Sequence, residues 1–150
     1  MNWSRSQSIV LSKVCIIIAL LVLAGGAIGL PSIVDGIVRR RGLEIAEARI
    51  YFYASFYSLL IPAVIALINL YRLLANISRE DIFVTSNVHY LRWISWACYL
   101  AALISLLSFC YYLPFIILAG GAGFMGLILR VVKNVFAEAV YIKEENDFTI

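Results

Sequence analysis

Side chains suited to nucleophilic, acid–base or metal chemistry are sparse in this chain. There is one histidine, His89, and there are three cysteines, Cys15, Cys98 and Cys110. The cysteines show no Cys-x-x-Cys spacing and sit inside apolar runs, so they read as small packing residues rather than a zinc site or a disulfide framework. His89 falls near an expected helix start and reads as an ordinary interfacial residue, not a pH sensor. No acidic or basic residue lies deep within an apolar run, which leaves nothing resembling a proton relay, a metal site or an activated nucleophile. The expectation is a non-enzymatic protein with no cofactor.

The remaining polar groups suggest contacts rather than reactions. Asn69, Ser55, Ser58, Ser105 and Ser108 are spaced within apolar runs as helix-to-helix hydrogen-bonding groups would be. Arg39, Arg40 and Arg41 form a basic triplet, read as meeting lipid phosphates or water. Glu144, Glu145, Asn146 and Asp147 make a short acidic tail.

The elements that carry these groups follow from composition. Of 150 residues 63% are hydrophobic and 14% charged, with a mean hydropathy of +0.95. Soluble domains are about half apolar and a quarter charged, so lipid is the main solvent here. The net charge of +3 is spread between apolar runs, which argues against direct nucleic-acid binding. No charge occurs from Val14 to Val34, from Ile50 to Tyr71, or from Trp93 to Leu129. A charge at the centre of a spanning helix costs about 2.5–3.5 kcal/mol, and about 20 residues cross the hydrocarbon, so the first two intervals are single spans. The third holds two spans joined by a reversal at Tyr111, Tyr112, Leu113 and Pro114, because proline lacks an N–H and turns the preceding residue away from helix. The first apolar stretch is longer than the core of a cleaved signal peptide and reads as a span.

The expected fold is therefore all-α: an integral membrane four-helix bundle forming one domain over residues 1–150. Its spans fall at about 14–34, 50–72, 90–111 and 114–133, with a tail over 134–150. Four spans put Arg5, Lys13, Arg72, Arg79, Arg92, Arg130, Lys133 and Lys143 on one side, against Arg39, Arg40, Arg41 and Arg49 on the other. Eight against four predicts cytoplasmic N- and C-termini, with the arginine triplet on the outer loop as the counterweight. Tyr51, Phe52, Tyr53, Tyr111 and Tyr112 then mark one interface, and Tyr90, Trp93 and Trp96 the other.

Small residues at a spacing of four, Gly25 with Gly29, Ala119 with Gly123 and Ala122 with Gly126, predict close pairing of the first and fourth spans. Pro62 frees the carbonyl of Ser58 and predicts a kink in the second span. Beyond Leu129, Val132, Phe136, Ala139 and Val140 share one helical stripe, flanked by Val131 and Val135, while Lys133, Asn134, Ala137, Glu138 and Tyr141 fall mostly on another face. This predicts a cytoplasmic amphipathic extension of the fourth helix, resting on the membrane or against the middle loop. The acidic tail is expected to fold back, Glu145 or Asp147 meeting Arg79 or Arg92 while Phe83, Phe136 and Phe148 bury apolar area.

Two segments carry a family pattern. The middle loop reads Asn76-Ile77-Ser78-Arg79-Glu80-Asp81-Ile82-Phe83-Val84-Thr85-Ser86-Asn87-Val88, running into Leu91-Arg92-Trp93-Ile94-Ser95. The C-terminus reads Val135-Phe136-Ala137-Glu138-Ala139-Val140 and ends Lys143-Glu144-Glu145-Asn146-Asp147-Phe148-Thr149-Ile150. Together they resemble a bacterial family of small four-span membrane proteins of unknown function, with Phe148 where leucine is usual. Members are often encoded beside a small helix-turn-helix regulator. The resemblance thus implies a multi-pass protein of the bacterial cytoplasmic membrane that binds or regulates such a soluble partner. The surface expected to do so comprises Arg79, Glu80, Asp81, Phe83, Asn87, Arg92, Phe136, Glu138, Glu144, Glu145, Asn146, Asp147 and Phe148. The competing class is a small transporter, channel or toxin-immunity protein, which would need homo-oligomers formed through the glycine faces.

Overall fold

The structure is a computed structural model. It describes residues 5–41 and 46–148, with the side chains of 5, 6, 37, 38, 41, 46–48, 147 and 148 left out. Four helices account for nearly all of it: α1 (Arg5–Arg41), α2 (Ala46–Ser78), α3 (Thr85–Ser108) and α4 (Phe115–Phe148). Each contains a stretch long and apolar enough to cross a membrane, so the chain is an all-α, multi-pass membrane protein. The reversal between α3 and α4 occupies 109–114 and includes Pro114.

Two boundaries differ from expectation. Asp35 and Arg39–Arg41 belong to α1, which runs through Pro31 to Arg41, instead of lying in a loop after the span. Arginine is a good helix former and is favoured at a helix C-terminus, where it meets the unpaired carbonyls. Residues 134–148 do not fold back: α4 stays helical through Phe148. No Gly or Pro follows Gly126 to break it.

The helices pack in sequence order, α1 on α2, α2 on α3 and α3 on α4. Among the described residues the backbones of α1 and α4 do not approach, which overturns the expected pairing of the first and fourth spans. A Cβ added at Gly25 or Gly29 would meet nothing within 4 Å, whereas one at Gly123 would lie 3.7 Å from Ala102 Cβ, and one at Gly126 3.0 Å from Tyr99 Cε1. The small face of α4 is thus used against α3, its neighbour through a short turn. Ala119 is buried, and Ala122 faces an apolar cavity of about 370 Å³ opposite Leu23, Phe56, Pro62 and Ala97.

α2 and α3 are tied at both ends. Near the α3–α4 turn, Ser55 Oγ meets Ser108 Oγ at 2.6 Å and also the Tyr111 hydroxyl, while Tyr111 donates to the Tyr51 carbonyl at 3.1 Å. Ser95 Oγ, buried, donates to the Gly126 carbonyl at 3.0 Å and joins α3 to α4. Asn69 instead bonds within its own helix, to Ile65 O. Leu30 and Val34 of α1 join Phe52 and Phe115 in an aromatic-rimmed core at that same end, where Arg49 and Asp35 pair at 3.5 Å.

Candidate functional site: the α2–α3 loop and the α4 extension

The loop is built by backbone geometry first. At the end of α2, Asp81 N donates to Asn76 O at 3.1 Å and Glu80 N to Ile77 O at 3.2 Å, with Glu80 at φ 66°. This is a Schellman ending, in which the left-handed residue after the cap turns two amides back onto the last carbonyls. Glycine normally holds that position, because a side chain there is strained by about 1–2 kcal/mol. Here a glutamate holds it, with its side chain exposed.

Asn87, two residues into α3, fixes the rest of the loop. Its side chain is 0% exposed. Its Nδ2 donates to Asp81 O and Ile82 O, both at 2.8 Å, and its Oδ1 accepts from Asn76 Nδ2 at 2.8 Å. Both N–H donors and one acceptor site of the amide are thus used to shape the loop. Asn87 is therefore not a contact residue on the surface, as expected from sequence; it holds the surface from within. Asn76, outside the expected set, is its partner. Two asparagines flanking a short polar link between apolar runs were the available signal, since asparagine caps and turns backbone through its own side chain.

The α4 extension lies against this loop. The rings of Phe83 and Phe136 stand 6.2 Å apart, and Thr85 Oγ1 donates to Glu144 Oε1 at 3.5 Å. Val140 is buried, and Val132, Phe136 and Ala139 are half-buried, so the apolar stripe turns inward; Lys133 and Ala137, expected on the other face, are half-buried beside it, while Asn134, Glu138 and Tyr141 are exposed. Arg79, Glu80, Asp81 and Phe83 stay exposed on the loop, Arg92 on α3, and Glu138, Glu144, Glu145 and Asn146 on α4. Asp147 and Phe148 are helical, and their side chains lie outside the described residues. The structure thus brings Phe83 together with Phe136 and places Glu144 beside the start of α3. His89 is exposed on the first turn of α3. Among the described residues no three His, Cys, Asp or Glu side chains gather as a metal site would.

The surface also carries apolar groups. Tyr141 is 61% and Ile142 54% exposed, beside the charged residues Glu138, Lys143 and Glu144. At 1.5 Å per residue the 34 residues of α4 extend about 51 Å, well beyond hydrocarbon about 30 Å thick. With Arg130 and Lys133 marking where the uncharged stretch ends, Tyr141 and Ile142 lie some 12–18 Å further on.

Residues 39–150 match the family described as "Protein of unknown function (DUF2975)", and the chain belongs to that family. No curated protein and no solved structure matches it.

Proposed function

We propose that this family member is a non-enzymatic protein of the bacterial cytoplasmic membrane, its termini cytoplasmic, whose α2–α3 loop and α4 extension recognise a soluble partner. The observation that carries the reading is the shaped surface just described: a loop fixed by Asn87 and seated on Phe136, beside a helix that presents Tyr141 and Ile142 past the uncharged stretch. Apolar side chains exposed on a water-side helix have no lipid to cover them, and interfaces are enriched in tyrosine and other aromatics at their centres. The excess of lysine and arginine at this end supports its lying in the cytoplasm. A helix-turn-helix regulator is the partner the family resemblance favours. Its DNA-binding face is basic, and the exposed Glu80, Asp81, Glu138 and Glu144 offer it the opposite charge.

A transporter or channel would draw instead on the central cavity. That cavity is lined by leucine, phenylalanine, proline, alanine and cysteine, which offer an ion no polar path. Recognition is the reading with a built surface behind it.

Capture from membranes in mild detergent tests it, comparing the full chain with one lacking residues 134–150 and with Phe83→Asp. The expected result is a soluble DNA-binding protein retained by the full chain and lost by both variants, with all three inserted in the membrane. Identical recovery from the three, or a reporter fused after Ile150 found outside the cell, would overturn the proposal.

A further inference from the structure

A second feature at the loop end of the bundle shares Arg92 with the expected partner surface but faces the membrane rather than a soluble protein. Arg92 and Arg130 bound the uncharged interval of α3 and α4 on the same side of the molecule. The Arg130 guanidinium lies 5.5 Å from the Trp96 ring centroid, within cation–π range, and Trp96 is 55% exposed on the outer face of α3. Arg92 stands one turn before Trp96, at the i, i+4 spacing that shares a helix face.

The platform under Trp96 is supported from behind. Tyr99 meets Trp96 edge-on, at 6.2 Å between centroids and 75° between planes. Tyr99 can lie there because Gly126 has no side chain: a Cβ on it would come within 3.0 Å of the Tyr99 ring. A chain of contacts thus runs from Gly126 to Tyr99, to Trp96 and to Arg130. It holds a cation over an indole at the height where the apolar run ends. Neither Arg92 nor Arg130 meets a carboxylate among the described residues. Two exposed guanidiniums beside a lipid-facing indole are complementary to a phosphate group with acyl chains attached, since guanidinium matches phosphate oxygens in a fork and indole favours the headgroup boundary.

We propose that Arg92, Trp96 and Arg130 form a binding site for the headgroup phosphate of an anionic phospholipid. The lipid's chains run along the outer face of α3, past the exposed Leu100 and Leu103. Trp96 itself provides the readout. In a Trp3→Phe, Trp93→Phe background it is the chain's one remaining tryptophan. Its emission is measured in vesicles of phosphatidylcholine containing an equal fraction of bromine-labelled phosphatidylglycerol or bromine-labelled phosphatidylcholine.

The expected result is stronger quenching by the anionic lipid. Its apparent preference should fall about fivefold for each of Arg92→Gln and Arg130→Gln, from about 1 kcal/mol per surface cation. Arg130→Lys, which keeps the charge but not the fork, should retain part of the preference. Arg40→Gln, at the opposite end of the bundle, should leave it unchanged. Equal quenching by the two lipids in the parent, or a preference untouched in the Arg92→Gln/Arg130→Gln pair while helicity is intact, would overturn the site.

Discussion

Replacing Asn87 with alanine should release the loop, and the cost can be worked from its bonds. The side chain is fully buried and makes three hydrogen bonds of 2.8 Å, to Asp81 O, Ile82 O and Asn76 Nδ2. Each contributes about 0.5–1.5 kcal/mol, and a group left buried without a partner costs about 1–3. Asp81 is exposed, so its carbonyl regains water in part. The expected loss is therefore about 2–3 kcal/mol for Asn87→Ala. It should be about 1 kcal/mol for Asn76→Ala, which removes one bond. Asn87→Asp is the sharper probe, because a carboxylate oxygen would then face two carbonyl oxygens. The charged form is disfavoured there, so this variant should be less stable than Asn87→Ala at neutral pH. Equilibrium unfolding in mixed micelles, read by tryptophan emission, gives these differences, and tryptic cleavage after Arg79 reports loop opening directly. Asn87→Ala within about 0.5 kcal/mol of the parent, or Asn87→Asp no worse than Asn87→Ala at neutral pH, would refute the clamp.

Glu80→Gly should raise stability by about 0.5–1 kcal/mol in the same unfolding assay, since it relieves the left-handed backbone at φ 66°. If Glu80 also contacts the partner, capture should weaken although the fold gains, a combination no purely structural role produces. Gly126→Ala should cost about 1–3 kcal/mol, because its Cβ meets the Tyr99 ring and Cys98 Cβ, whereas Gly25→Ala and Gly29→Ala should be neutral; thermal denaturation in detergent ranks the three. Ser108→Ala should lower stability by about 0.6 kcal/mol, the mean measured for interhelical hydrogen bonds in membranes. In a double-mutant cycle with Ser55→Ala its effect should be largely shared, as expected of one linked cluster.

The spans were legible because the cost of a buried charge acts on each residue alone: an uncharged interval is a span whatever it later touches. Pro114 made the α3–α4 reversal legible for an equally local reason. The helix pairings were not. In lipid an apolar face gains little by meeting another apolar face, so glycines at a spacing of four show that a close approach is possible without saying to what. Gly126 and Gly29 look alike in sequence. One receives Tyr99, and the other meets nothing within 4 Å. Within the loop, the residue types of Arg79, Glu80 and Asp81 marked a polar surface. Whether Asn87 pointed outward or inward depended on a backbone turn set by Glu80, a residue that propensity would not place in the left-handed region. Arg130 and Trp96 lie 34 positions apart, and only the antiparallel register of α3 and α4 brings them together.

The distribution of ties divides the molecule into two parts. α2 and α3 are joined by side-chain hydrogen bonds at one end through Ser55, Ser108 and Tyr111, and at the other through Asn76 and Asn87. α4 is held to α3 by close backbone approach at Gly123 and Gly126 and by Ser95. These three helices carry the proposed recognition surface, and moving α2 or α4 against α3 breaks a bond or opens a packed contact. α1 differs. Its hydrogen bond from Tyr57 to Ala27 O, its ion pair with Arg49 and its core residues Leu30 and Val34 lie in its second half, and Ile16 is buried in the first. Its first half faces α2 across an open, mostly apolar groove of about 440 Å³, between Cys15, Ile16 and Ala19 on one side and Leu67, Leu70 and Leu74 on the other. Filling or widening that groove breaks none of the bonds that shape the loop. The surface proposed to meet a partner is therefore built on α2, α3 and α4, and the first half of α1 bears on it chiefly through the packing of α2.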